Sequence, residues 1–145
     1  MNPKYIKFIT IAQAIASLSK DTSTKVGAIA LGPAGDIRAM GYNGMPRGCN
    51  DDDLKRTIRP EKYFWFEHAE RNLIYNAARV GVPLEGCTLI LSGLYPCMDC
   101  ARAIVQAGLI QVITPPIPTE SKWNEHAVRS SELFKECGIT VYEYI

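Results

Sequence analysis

No stretch of this chain approaches the roughly 20 consecutive apolar residues that a membrane-spanning helix needs. No charge of one sign dominates either: 16 Lys and Arg stand against 15 Asp and Glu, a formal net charge of +1. The first absence argues against a membrane partner, and the second removes the broad basic field with which proteins hold duplex nucleic acid. Histidine is scarce, so any chemistry that needs imidazole must draw on His68 or His126. No repeat, low-complexity tract or linker divides the sequence. Its 145 residues, 47% apolar, suit one domain over 1–145 that builds its core without staples. The cysteines (Cys49, Cys87, Cys97, Cys100 and Cys137) are odd in number, a poor match to a secreted disulfide framework. They read as reduced thiols in a cytoplasmic protein.

What is present alternates between helical and strand-like segments, the pattern of an α/β protein. Lys7, Thr10, Gln13, Ser17 and Lys20 recur every three to four residues beside apolar neighbours, so the first segment reads as an amphipathic helix rather than a leader peptide. Val26 to Leu31 and Ile37 to Gly41, joined by Gly32-Pro33-Ala34-Gly35-Asp36, predict a hairpin. Residues 42–66 lack a period and form an unusually long connection, a common place for function. Further segments are expected as a helix over Glu67 to Val80, a strand over 87–91, a helix from Pro96 to Gln106 and a strand over 109–113. A helix over about 124–137 and a strand over 139–145 complete the chain. In the expected helix 67–80, Ala69, Leu73, Ala77 and Val80 share the apolar side. Together these give about five strands sandwiched between helices, with a parallel crossover in the second half.

Two short words carry chemistry. His68-Ala69-Glu70 opens one helix and Pro96-Cys97-Met98-Asp99-Cys100 the next. Cysteines three apart at a helix start project the same way, and helix N-termini favour thiolates. Two thiolates and one imidazole neutralise Zn²⁺ and leave a fourth tetrahedral position free, the arrangement of a catalytic zinc. Zinc lowers the pKa of water, and a carboxylate two residues past the histidine can shuttle its proton. Each word alone has plainer readings: a redox pair, half of a structural zinc site with Cys87 and His126, a capping histidine, or a first-turn acid complementing the helix dipole. Their conjunction matches the H-x-E and P-C-x-x-C signature of zinc-dependent nucleobase deaminases.

At these residues the sequence resembles the cytidine-deaminase superfamily and, more closely, its deoxycytidylate (dCMP) deaminase branch. Ser19-Lys20-Asp21 through Lys25-Val26-Gly27-Ala28, Gly41 to Cys49 with its Met45-Pro46-Arg47-Gly48, the aromatic before Pro96, and Gln106-Ala107-Gly108 carry the likeness over about residues 20–114. The resemblance implies a three-layer α/β/α cytidine-deaminase-like fold with a mixed five-stranded sheet, and hydrolysis of a cytosine deoxynucleotide to its uracil counterpart and ammonia. It implies one catalytic zinc on His68, Cys97 and Cys100, with Glu70 as the catalytic acid and base. Asn43 would meet the sugar, backbone near Ala69 the base edge, and Tyr95 and Pro96 would line the substrate site. Tyr42 and Gly44 belong to a loop that in the family takes dCTP as activator and dTTP as inhibitor. Magnesium would accompany such a triphosphate, with Asp51-Asp52-Asp53 as a candidate contact, although a solvated acidic loop is the plainer reading of that run. The family is commonly homohexameric, and a dimer or tetramer is also open. Family members often set a Tyr beside a basic or histidine residue at the substrate phosphate, whereas this chain has Lys122, Trp123 and His126 there, so Lys25, Lys122, His126 and Arg129 are the candidate phosphate contacts. A dCTP or 5-substituted dCMP deaminase, a base deaminase acting on RNA or single-stranded DNA, and a noncatalytic zinc or nucleotide-sensing domain are the alternatives.

Overall fold

Five strands form one mixed sheet in the order β2-β1-β3-β4-β5 in the computed structural model, which describes residues 2–145. They are β1 (Gly27–Leu31), β2 (Ile37–Tyr42), β3 (Thr88–Ser92), β4 (Gln111–Thr114) and β5 (Thr140–Glu143). β1 pairs antiparallel with β2 and β3, while β3, β4 and β5 run parallel. The helices are α1 (Lys4–Ala16), α2 (Lys62–Trp65), α3 (Ala69–Val80), α4 (Met98–Gln106) and α5 (Asn124–Glu136).

Strand residues alternate between two cores because successive side chains leave a sheet on opposite faces. Ala28, Ala30, Leu89, Leu91 and Val112 face α3, α4 and α5. Ile29, Leu31, Ile90 and Ile113 face α1. Burial on both faces explains the unbroken apolar runs of β1 and β3. The layer order is therefore α1, sheet, then α3, α4 and α5, as the sequence resemblance implies.

Small residues set how closely the layers approach. A Cβ built on Gly27 would lie 2.0 Å from the Ala12 carbonyl oxygen of α1, and one on Gly41 would lie 2.5 Å from that of Ala69 in α3. Asn72 and Asn76 of α3 donate side-chain hydrogen bonds to the Tyr42 and Met40 carbonyls at 2.8 and 2.7 Å. These bonds occupy the outer edge of β2, which would otherwise present unpaired backbone groups. α3 is thereby fixed to the sheet along its length.

Several expected boundaries move. The third helix begins at Ala69 rather than Glu67, because His68 takes extended backbone as its N-cap. Cys97 plays the same part for α4, which starts at Met98 and leaves Pro96 before the cap. β3 spans Thr88–Ser92 rather than 87–91, and β4 begins at Gln111 rather than 109. The last helix stops at Glu136 and β5 is shorter than expected at both ends. Val80 does not join the buried face of α3: it is 74% exposed at the last turn, just before the left-handed Gly81. Residues 42–66 also hold more order than a connection. A 3-10 turn at Leu54–Thr57 and the short α2 interrupt them.

Candidate active site

α3 and α4 follow turns at one end of the sheet, so their N-termini converge and bring the two sequence words together. The His68 Nδ1 atom stands 3.4 Å from the Cys97 sulfur and 3.5 Å from that of Cys100. In a tetrahedral zinc site with Zn–S near 2.3 Å and Zn–N near 2.05 Å, the N···S edge is about 3.6 Å. Both N···S edges are thus close to the size zinc needs, with His68 presenting Nδ1, and the three donor atoms lie within 4.8 Å of one another. His68 and Cys97 line a cavity of about 290 Å³.

Electrostatics agree with this donor set. Hydrogen bonding from Cys100 and then His68 outweighs burial and holds the Cys97 thiol down to about 4. The same contact to Cys97, with burial, pushes Cys100 well above the ordinary thiol range. A divalent cation held by these residues would favour both sulfurs as thiolates. The imidazole of His68 is raised first by its hydrogen bond to Cys97.

Glu70 lines the same cavity and is 4% exposed. Burial pushes its carboxyl up from the ordinary carboxylate range, with His68 opposing. A carboxyl in this setting takes and returns a proton more readily than one in water. Arg71, one residue on, is held by Glu67 at 2.5 Å and reaches Asp99 at 3.7 Å, tying the starts of α3 and α4 together.

The cavity also takes in Asn43, Ala69 and Tyr95 from the sequence-expected set. Asn43 is committed within the protein. Its Oδ1 accepts from the Val26 amide at 2.8 Å, and its Nδ2 donates to Asp21 at 3.1 Å and to the Thr24 carbonyl at 2.9 Å. Pro96 is fully buried and is not part of the cavity wall. Tyr42 and Gly44 line a neighbouring cavity of about 240 Å³ with Arg47 and Tyr75. Glu67 borders both cavities, and its backbone pairs with that of Gly44 in both directions, at 3.1 and 2.8 Å. Asp51 and Asp52 pair with Lys20, and Asp53 with Arg56.

None of Lys25, Lys122 and Arg129 forms the wall of the first cavity. Arg129 is exposed and pairs with Glu125 one helical turn away, at 2.8 Å. Lys122 sits outside but rests over the ring of Tyr63, a wall residue. Of the basic side chains that line the cavity, His126 belongs to the sequence-expected set, whereas Arg59, Lys62 and Arg71 escaped the sequence reading. Arg59 and Lys62 come from the stretch without a period, and the one available signal was that basic and aromatic residues crowd the segment just before His68. Asp21, in a family-like segment, proves to be a buried hub. It accepts from the Ser23 and Thr24 amides, the Ser23 hydroxyl and Asn43, and it pairs with Lys62. Trp123 packs edge-on against Tyr63, His68 and His126 and closes one side.

A three-layer α/β/α frame that brings two helix N-termini, a His68-Cys97-Cys100 donor cluster and a buried carboxyl together beside one cavity defines the class of zinc-dependent hydrolytic deaminases. The chain belongs to the cytidine and deoxycytidylate deaminase family, whose zinc-binding region matches residues 3–115. Deoxycytidylate deaminase of Homo sapiens is 36% identical to it over 148 residues, covering 99% of this chain and 79% of the relative. An uncharacterised deaminase of Aliivibrio fischeri is 36% identical over 139 residues, 93% of this chain and 89% of its own length. Among solved structures, the dCMP deaminase of cyanophage S-TIM5 in complex with dCMP and dUMP superposes with a TM-score of 0.79. It is 25% identical and covers 99% of each chain.

Proposed function

We propose that this protein deaminates dCMP hydrolytically to dUMP and ammonia, acting as one catalytic unit over residues 1–145. The observation that carries the reading is the buried Glu70 carboxyl, set in the cavity that His68 and Cys97 also line, with Cys100 completing their donor cluster. Full-length similarity to curated deoxycytidylate deaminases, and the fold shared with an enzyme solved with dCMP and dUMP, support the substrate.

His68 through Nδ1, with the Cys97 and Cys100 sulfurs, would hold one zinc ion. When bound, zinc supplies a Lewis acid that makes water a nucleophile near neutral pH. Glu70 takes a proton from the attacking water and delivers it to N3 of cytosine as oxygen adds at C4. From the resulting tetrahedral carbon, Glu70 moves a second proton to the exocyclic amine, which leaves as ammonia while the C4 carbonyl forms. The Ala69 backbone, at the first turn of α3, reads the base edge, and Tyr95 closes the wall beside it. Asn43 holds the sugar side of the cavity in shape through its bonds to Val26, Asp21 and Thr24.

We further propose that the neighbouring cavity around Tyr42 and Gly44 takes a regulatory deoxynucleoside triphosphate, dCTP or dTTP, arriving with magnesium. The Gly44–Glu67 backbone pairing supports this, since it joins that loop to the residue preceding His68. A homo-oligomer, hexameric as in the family, and a cytoplasmic setting that keeps the thiols reduced complete the proposal. No described helix is long and apolar enough to cross a membrane.

Ammonia release tests the reading across cytosine, deoxycytidine, CMP, dCMP, dCTP and 5-methyl-dCMP, with and without dCTP or dTTP. The expected result is turnover of dCMP above the others. Turnover of oligonucleotides alone would overturn it.

A further inference from the structure

The donor cluster comes from two separate elements: His68 caps α3, while Cys97 caps α4 and Cys100 lies in its first turn. Converging helix N-termini carry partial positive charge of the same sign, so the two halves of the cluster resist approach. Leu73 and Ala77 of α3 share an apolar core with Ala101 and Ile104 of α4, which holds the helices together beyond their first turns. At the first turns the link is a chain of charges. Glu67 accepts from Arg71 Nε at 2.5 Å and from the His68 backbone amide at 3.3 Å. Arg71 Nη1 then reaches Asp99 Oδ2 at 3.7 Å, and Asp99 stands between the two cysteines in sequence. Among the described residues this is the only ion pair that joins α3 to α4.

The chain is anchored at both ends. Arg102 holds the other Asp99 oxygen at 2.5 Å, and two backbone hydrogen bonds with Gly44 hold Glu67. A lone exposed ion pair contributes little, but the Arg71 side chain is only 20% exposed and is gripped by a carboxylate that also holds the backbone of a donor residue. Glu67 and Asp99 place negative charge at the starts of α3 and α4, where it offsets the two helix dipoles, and the guanidinium between them joins one carboxylate to the other. Neither acid belongs to the donor cluster itself.

We infer that Arg71 is a positioning residue for the metal: through Glu67 and Asp99 it sets the spacing between His68 and the cysteine pair, and thereby how firmly the ion is retained. The inference rests on the zinc-deaminase reading above. It gives a part to residues that hold ligands rather than ligate, and such outer partners orient donor groups.

The test compares the full native chain with Arg71→Gln, Arg71→Lys, Glu67→Gln and the Glu67→Gln/Arg71→Gln double variant, using Lys135→Ala on the exposed side of α5 as control. Zinc affinity is measured by competition with a chromophoric chelator, and the geometry of the site by the visible spectrum of the cobalt-substituted protein. Loss of an outer partner predicts about tenfold to hundredfold weaker zinc binding for Arg71→Gln, with a shifted cobalt spectrum. Arg71→Lys should recover part of the loss, since an ammonium keeps the charge but not the fork that spans two carboxylates. The double variant should bind zinc no more weakly than Arg71→Gln alone, because the link is already cut. With zinc in excess, KM for dCMP should hold while kcat falls. Melting of the metal-free forms should differ by only a few degrees, as the apolar core is untouched. Native zinc affinity and a native cobalt spectrum in Arg71→Gln would overturn the inference, and so would a metal-free protein that no longer folds while Glu67→Gln binds zinc as the native chain does. A native protein that holds zinc through this clamp yet deaminates no cytosine nucleotide would instead overturn the proposed reaction and leave the clamp standing.

Discussion

The Ala69 carbonyl oxygen lies 2.5 Å from where a Cβ on Gly41 would be, so the first turn of α3 rests directly on the backbone of β2. That contact fixes the height of His68 and Glu70 above the sheet. The Leu73 amide nitrogen, one turn on, is equally close. Any side chain at position 41 must lift the helix that carries one expected zinc ligand and the expected proton shuttle.

Gly41→Ala should therefore cost about 1–3 kcal/mol of stability by overpacking, and the zinc site should suffer with it. The expected outcome is a lower melting temperature together with weaker zinc retention during dialysis. A variant with native melting and native zinc content would show that the α3 contact does not set the site.

Glu70→Gln removes the carboxyl and keeps the side chain's volume. Loss of a general acid and base predicts a fall in kcat of about 10²- to 10⁴-fold, with about one zinc per chain still present by elemental analysis. Surviving turnover would refute the shuttle assignment, and lost zinc would give the residue a structural part instead.

Removal of the metal should abolish dCMP turnover, and stoichiometric zinc should restore it. Cys97→Ser and Cys100→Ser should each bind zinc far more weakly, since a serine hydroxyl does not ionise as a thiol does. Elemental analysis that returns two zinc ions per chain would contradict the single-site reading.

Asp21→Asn probes the buried hub under the cavity. Burial pushes the Asp21 carboxyl up, but hydrogen bonds from Lys62 and from the Ser23 and Thr24 amides outweigh it and leave the group below its ordinary value of 3.8. A carboxyl with a depressed folded pKa contributes stability that is full above the unfolded value and fades as pH falls through the folded one. At pH 7 the variant should lose about 3 kcal/mol, because Lys62 is left buried without its partner. Below about pH 4 the gap between the two melting temperatures should narrow. A gap that stays constant down to pH 2 would show that the charge of Asp21 is not what matters.

The amino-acid sequence determined the layers and the donors. Unbroken apolar runs in β1 and β3, the amphipathic first helix, and two chemical words at helix starts are local patterns, and local patterns are legible because each residue's neighbours in sequence decide them. His68, Glu70, Cys97 and Cys100 could be nominated from spacing and donor chemistry alone. Tertiary structure decided which charges stay free. Lys62 and Arg71 look in sequence like cations as available as Arg59, yet Asp21, Glu67 and Asp99 neutralise them, while Arg59 rests over the Tyr63 ring with no carboxylate partner among the described residues. Asn43 reads as a turn residue or a sugar contact until Val26, Asp21 and Thr24 are seen to use both ends of its amide. A side chain's availability depends on partners from distant segments, and those partners become neighbours only when the sheet and its helices have packed.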